Sequence, residues 1–122
     1  MKFINTRANF PFSDAVIHSG TVLETVLTGI PPGADRPVSG GVVEELQEIF
    51  GQLDAILGKA GVTRDAIASV RLYLADVNRD IAVVNKAYAE YFGSHPPSRR
   101  AYVVTLQLGM LIEAAFVAEL PQ

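Results

Sequence analysis

One carboxylate stands alone in the most apolar stretch of the chain. Glu113 lies within residues 110–118, where every other side chain is apolar. Because burying an unpaired carboxylate costs several kcal/mol, its presence there requires an explanation. It could be a catalytic acid of raised pKa that positions a water molecule or moves a proton. The alternatives are a structural ion pair, or a residue on a patch that solvent still reaches.

Two adjacent arginines come shortly before this stretch. Arg99 and Arg100 follow a Pro-Pro-Ser turn and open a predicted strand, which is expected to pair with the strand of Glu113. A guanidinium at a strand entrance can bind both oxygens of a carboxylate, although both arginines could also be ordinary surface residues. Side chains alternate along a strand, so the two arginines point to opposite faces. At most one of them can share a site with Glu113.

Other kinds of chemistry lack the residues that they need. The chain has no cysteine, which excludes disulfides and thiolate catalysis. His18 and His95 show no metal-ligand or triad spacing, so structural roles and no metal site are predicted. Neither Gly29 nor the pair at 40–41 belongs to a phosphate-loop pattern.

Composition limits the class of protein and its partners. The 122 residues suit one domain, 1–122, and 49% apolar against 19% charged residues supports a real core. A net charge of −3 with scattered Lys and Arg disfavours a nucleic-acid partner. No segment resembles a signal peptide or could span a bilayer, so a cytoplasmic protein without a membrane partner is expected.

Apolar patterning predicts the elements that position these residues. Strands are predicted at 15–18, 22–28, 67–74, 100–106 and 111–119, helices at 42–59 and 79–92, and the residues around Phe3 suit a further short strand. In the first helix the acidic residues, Glu45 among them, fall opposite the apolar stripe. The order indicates an α+β fold, in which one mixed sheet carries both helices on one face.

The final strand suggests an oligomer. Residues 110–118 are apolar on both faces of the predicted strand, apart from Glu113. Two helices can cover only one face of a sheet, and the sequence holds no third helix for the other. A second subunit is the simplest cover.

Five segments, taken in order along the chain, resemble the Rid (YjgF-type) family. They are Pro11-Phe12-Ser13-Asp14-Ala15, Thr28-Gly29-Ile30-Pro31, the helix from Asp76 to Phe92 with Asn85 at the family's Asn, Pro97-Ser98-Arg99, and Leu106 through Glu113. Each segment alone is a weak signal, but the ordered set spans nearly the whole chain.

The resemblance implies a fold and an activity. The fold would be a chorismate-mutase-like α+β subunit of the bacillus type, assembled as a homotrimer with clefts between subunits. Active members hydrolyse 2-imino and enamine acids, released by pyridoxal-phosphate enzymes, to 2-oxo acids and ammonia without a cofactor. The alternative is a non-catalytic trimer that binds small carboxylates. The family has also been labelled as ribonucleases and translation inhibitors, which the acidic balance disfavours.

The resemblance also implies roles for single residues. Arg99 would bind the substrate carboxylate, while Glu113 would position the attacking water and manage its proton. The other residues implied in substrate binding are Phe12, Thr28, Gly29, Asn85, Arg100 and Ala101.

The sequence departs from the family pattern at several of these positions. Phe12 stands where active members have Tyr, Ile30 replaces Gln, and Ala101 replaces Cys or Thr. The spacing from Arg99 to Glu113 is about one residue short, which leaves the choice between Arg99 and Arg100 open. Arg99 is preferred because it keeps the Pro-x-Arg position. The paired arginine and glutamate favour retained hydrolysis, on an aromatic or bulkier imino acid.

Overall fold

The helices and strands follow the predicted order, including the short strand expected near Phe3. A computed structural model describes residues 1–8 and 10–122. Its elements are β1 Lys2–Thr6, β2 Ser13–His18, β3 Val22–Thr28, α1 Val42–Lys59, a short 3-10 turn at Arg64–Ala66, β4 Ile67–Leu74, α2 Val77–Phe92, β5 Ser98–Val103 and β6 Ile112–Glu119. The predicted strand near Phe3 is confirmed as β1, and the first helix has the predicted bounds.

Local chemistry sets the ends of both helices. α1 is followed by Gly61, whose φ of 77° suits glycine better than other residues. α2 begins two residues before its predicted start, because the Asp76 side chain accepts a hydrogen bond from the Arg79 backbone N–H at 3.1 Å. Gly93, with a φ of 65°, ends that helix.

The six strands form one mixed sheet in the order β1-β2-β3-β6-β4-β5. β6 pairs antiparallel with β3 and with β4, whereas β5 pairs parallel with β4 at the edge. The expectation that the arginine strand pairs with the Glu113 strand is therefore wrong. The β4-α2-β5 segment is a parallel crossover, which places β5 beside β4 and keeps it away from β6.

The two helices cover one face of the sheet and leave the other face open. On β6, Ile112, Ala114 and Phe116 lie in the core under the two helices. Glu113, Ala115 and Val117 lie on the opposite face, called the open face below, and are half-buried. Other apolar side chains of the open face are exposed, including Val26 at 58% on β3. The prediction of a final strand that is apolar on both faces is confirmed.

Glu45 corrects the expected polar face of α1. It is buried, with 2% of its surface exposed, and its Oε1 accepts a hydrogen bond from the Leu111 backbone N–H at 2.9 Å. Burial raises the pKa of the Glu45 carboxyl. The helical pattern alone misplaced it, because its partner is a backbone group 66 residues away in the chain.

Gly29 allows the close approach of α1 to the end of β3. A methyl group at Gly29 would lie 2.7 Å from Glu45 Cβ and 2.9 Å from Glu45 Cα. We therefore expect Gly29→Ala to lower the free energy of unfolding by about 1–3 kcal/mol through overpacking. Gly51→Ala is the matched control, since a Cβ there meets nothing within 4 Å, and it should stabilise the helix by about 0.5–1 kcal/mol. Urea unfolding measures both changes, and a Gly29→Ala variant as stable as wild type would contradict the packing argument.

Candidate active site

Glu113 lies on the open face between two polar neighbours. In the strand register it stands opposite Thr28 on β3 and opposite Tyr73 on β4. Burial raises the pKa of the Glu113 carboxyl. Among residues 1–8 and 10–122, no basic side chain forms a salt bridge with it. Within one chain, Glu113 is thus a partly desolvated acid without a compensating cation.

A cavity of about 480 Å³ opens at the end of β3, next to the strand neighbour of this acid, although Glu113 itself does not line it. Thr28, the strand neighbour of Glu113, forms part of its wall, and Phe12 forms another part. Phe12 stacks on Phe10 with ring centroids 5.8 Å apart. Glu113, Thr28 and Phe12 are together called the carboxylate half-site.

Arg99 lies on the opposite side of the sheet, the side of the helices. It stands opposite the buried Val70 in the register of β5 with β4. Its guanidinium carbon is 4.9 Å from the centroid of the Tyr88 ring on α2, a cation–π contact that orients the side chain. Ala101 faces the same side, and Asn85 lies on α2 about one turn before Tyr88. Arg99, Ala101 and Asn85 are called the guanidinium half-site.

The contact between Tyr88 and Arg99 has no signal in the sequence, because the two residues lie on different elements. Tyr88 is 6% exposed. Among the described residues, its hydroxyl is the one buried side-chain polar atom without a hydrogen-bond partner. Burial raises the pKa of Tyr88 to about 12, so at neutral pH the hydroxyl stays protonated and can donate a hydrogen bond.

Arg100 faces the open side, as Glu113 does. It stands opposite Arg71 on β4, which in turn stands opposite Ala115 on β6. The predicted alternation of the two arginines is confirmed. Within one chain, however, it is Arg100 that shares a face with Glu113, while Arg99 lies on the other.

The predicted site residues therefore form two groups that one chain does not bring together. The carboxylate half-site and the guanidinium half-site lie on opposite faces of the sheet, and two strand spacings of about 5 Å each separate β5 from β6. Gly29 follows Thr28 at the cavity, and its carbonyl accepts a hydrogen bond from the Val38 N–H at 2.9 Å. Both half-sites could serve one reaction only where two chains meet.

Residues 1–8 and 10–122 contain no helix that combines the length and the apolar composition required of a membrane span. No three side chains of the kinds that bind metals lie together there.

Comparison with known proteins places the chain in a family. A sequence profile described as endoribonuclease L-PSP matches residues 4–120. The human 2-iminobutanoate/2-iminopropanoate deaminase is 37% identical over 109 residues, which cover 88% of this chain and 79% of the human protein. A Rid-family protein of Yersinia pestis has a similar crystal structure, with a TM-score of 0.84, 26% identity, and coverage of 98% of this chain and 95% of that one.

RidA from a Psychrobacter species shares the fold, with a TM-score of 0.86 at 22% identity, over 98% of this chain and 100% of that one. The fold class and the family predicted from the sequence are confirmed by these matches. The family includes proteins named as imine deaminases. A chain matched by the profile over nearly its whole length, and this similar to Rid structures, belongs to the L-PSP family that contains the Rid proteins.

Proposed function

We propose that the protein hydrolyses 2-imino acids and their enamine tautomers to 2-oxo acids and ammonia, in clefts between the subunits of a homotrimer. The observation that carries the proposal is the placement of Arg99 and Glu113 on opposite faces of one sheet. A cation suited to a carboxylate and an acid suited to moving protons are both present, and each lacks the other within its own chain. Relatives named as imine deaminases support the same reaction.

The open face supports the assembly. It exposes Val26 and Tyr102 and holds Ala115 and Val117 only half-buried. Apolar sheet surface of this kind is stabilised when another subunit covers it. A neighbouring subunit that contributes its β5 edge to this cover would bring its Arg99 toward Glu113. Native mass spectrometry should therefore detect a trimer at micromolar concentration, and a monomer would contradict the assembly.

The reaction needs one base that can also return the proton. Water adds to the imine carbon while the Glu113 carboxylate takes a proton from that water. That proton passes to the imine nitrogen, which gives the carbinolamine. Glu113 then takes the proton of the carbinolamine hydroxyl and delivers it to the amino nitrogen, the C–N bond breaks, ammonia leaves and the C=O bond of the 2-oxo acid forms. An enamine first gains a proton on carbon and loses one from nitrogen to give the imine. Because burial raises the pKa of Glu113, both of its protonation states become accessible nearer neutral pH.

Arg99 would hold the substrate for this step. A guanidinium binds both oxygens of a carboxylate through two parallel N–H donors. The stack on Tyr88 limits the orientations of the Arg99 plane, which makes Tyr88 a positioning residue. The Tyr88 hydroxyl, which lacks a partner among the described residues, is a further donor close to this arginine.

An assay with freshly formed imino acids tests the activity. An amino-acid oxidase generates the imines, a trapping reagent reports the amount remaining, and the protein is added or left out. We expect faster loss of the imine and matching release of ammonia when the protein is present. Unchanged decay across several side chains would contradict the enzyme and leave a carboxylate-binding trimer as the alternative.

Mixing two inactive variants tests whether one site is shared between chains. Arg99→Lys and Glu113→Gln each remove one half-site and leave the other intact. After subunit exchange in equal amounts, about a quarter of the clefts should regain an unaltered Arg99 from one chain and an unaltered Glu113 from another. Each variant mixed with itself is the control, and native mass spectrometry verifies the exchange. Mixed trimers without regained activity would place Arg99 and Glu113 in separate sites.

A further inference from the structure

We propose that the cavity beside Thr28 receives the substrate's side chain, and that the preferred substrates are imino acids with large apolar side chains, branched aliphatic or aromatic. This inference rests on the proposed deaminase function and names its substrate class. The cavity is called the apolar cavity below.

The apolar cavity lies where the substituent of a bound imine would point. Thr28 belongs to its wall and stands directly opposite Glu113 in the β3–β6 register. Side chains opposite each other in an antiparallel pair have Cβ atoms roughly 5 Å apart. An imine carbon held beside the Glu113 carboxyl is therefore within a few ångströms of the opening. Its carboxylate would extend toward the neighbouring subunit's arginine, which leaves the cavity for the side chain.

The size of the apolar cavity suits a large substituent. In a single chain, before a neighbouring subunit covers part of the open face, its volume is about 480 Å³, which lies in the range of small-molecule binding sites, roughly 300–1,000 Å³. The methyl group of an alanine-derived imine would fill a small part of this space and leave most of the apolar wall in contact with water. An isobutyl or benzyl group would displace that water and bury apolar surface on both sides.

The walls carry little charge that could select a polar substituent. The apolar wall residues include Phe10, Phe12, Val26, Ile30, Leu108 and Met110. Arg7, which also lines the cavity, is already paired with Asp14 at 2.7 Å. Asp35 and Arg36 contribute one charge of each sign. The four charged residues sum to zero, so a charged substituent would meet no net opposite charge and would lose hydration.

Rates on a set of imino acids test this preference. Imines of alanine, leucine, phenylalanine and glutamate are compared by kcat/KM. In a hydrophobic pocket one methylene changes kcat/KM by roughly 10- to 200-fold, so the leucine and phenylalanine imines should exceed the alanine imine at least about tenfold. If alanine is equal or better, the side-chain inference is wrong while the deaminase function stands. A preference for glutamate would also overturn it and would point to Arg36 as a carboxylate site. No hydrolysis of any imine would overturn the deaminase function and this inference together.

Two variants of the cavity wall test whether the substrate preference arises from the apolar cavity or from a general change in the enzyme. Ile30→Trp fills the space and should lower the phenylalanine-to-alanine ratio of kcat/KM by about tenfold or more. Leu108→Asp places a carboxylate in the wall and should lower the same ratio. Leu108 is 50% exposed and has a φ of 57°, a conformation that Asp tolerates better than Leu does.

Val83→Trp is the matched control, because Val83 is exposed on α2 and does not line the apolar cavity. Its phenylalanine-to-alanine ratio should equal that of the wild type. Folded Ile30→Trp and Leu108→Asp variants that both keep the wild-type ratio would overturn the assignment of the cavity.

Discussion

Arg99→Lys is expected to slow imine hydrolysis by roughly 30- to 1000-fold, which corresponds to about 2–4 kcal/mol of lost transition-state stabilisation. Lysine keeps the positive charge but loses the planar pair of donors that fixes both carboxylate oxygens. It also loses the flat contact with the Tyr88 ring that orients the side chain. Because Arg99 is exposed and lies on an edge strand, the melting temperature should change little. Steady-state kinetics together with thermal unfolding separates the two effects.

Arg100→Lys is the matched control for this prediction, since it makes the same chemical change at the next residue. Arg100 lies on the other face of β5, beside Arg71, and we expect it to have little effect on hydrolysis. A large loss of hydrolysis in Arg100→Lys with little loss in Arg99→Lys would make Arg100 the substrate-binding arginine. Arg100 shares the open face with Glu113, so a site that depends on Arg100 could form within one chain.

Glu113→Gln is expected to lower the proposed hydrolysis by about 100-fold or more, while the proposed trimer stays intact. The amide fits the space of the carboxyl but cannot accept the proton of the attacking water. Rates of imine hydrolysis and native mass measurements test the two parts of this prediction. A fully active variant would exclude Glu113 from the mechanism, and a variant that unfolds would make it a structural residue.

Glu113→Gln should also be more stable than the wild type at neutral pH. Burial raises the pKa of Glu113, so the folded chain prefers the protonated form and the carboxylate destabilises the fold. This cost is absent below the ordinary pKa of Glu, about 4.3, grows between that value and the raised pKa, and stays constant above it. The amide carries no such charge. The gain in melting temperature for Glu113→Gln should therefore be present at pH 7 and vanish near pH 4, and a gain that is equal at both values would contradict burial of the charge as its cause.

Several features of the fold could be predicted from the sequence, because they depend on neighbouring residues along the chain. The 3.6-residue spacing of Leu46, Ile49 and Leu53 predicted α1 with its observed bounds. Alternation predicted that Arg99 and Arg100 face opposite sides, and the apolar run around Glu113 predicted a strand that needs cover on both faces. The family motifs added the fold class, which the comparisons confirm.

Other features were decided only by the tertiary structure. The sequence placed the arginine strand beside the strand of Glu113, but β4 lies between them. This insertion, together with the register, keeps Arg99 and Glu113 apart on opposite faces, which is why the proposed site requires two chains. Likewise, the helical pattern predicts an exposed Glu45, whereas the folded chain buries it against the Leu111 backbone N–H. The physical reason is the same in each case. Periodicity records which way a side chain points from its own element, whereas strand order, burial and the apolar cavity depend on contacts between segments distant in the chain.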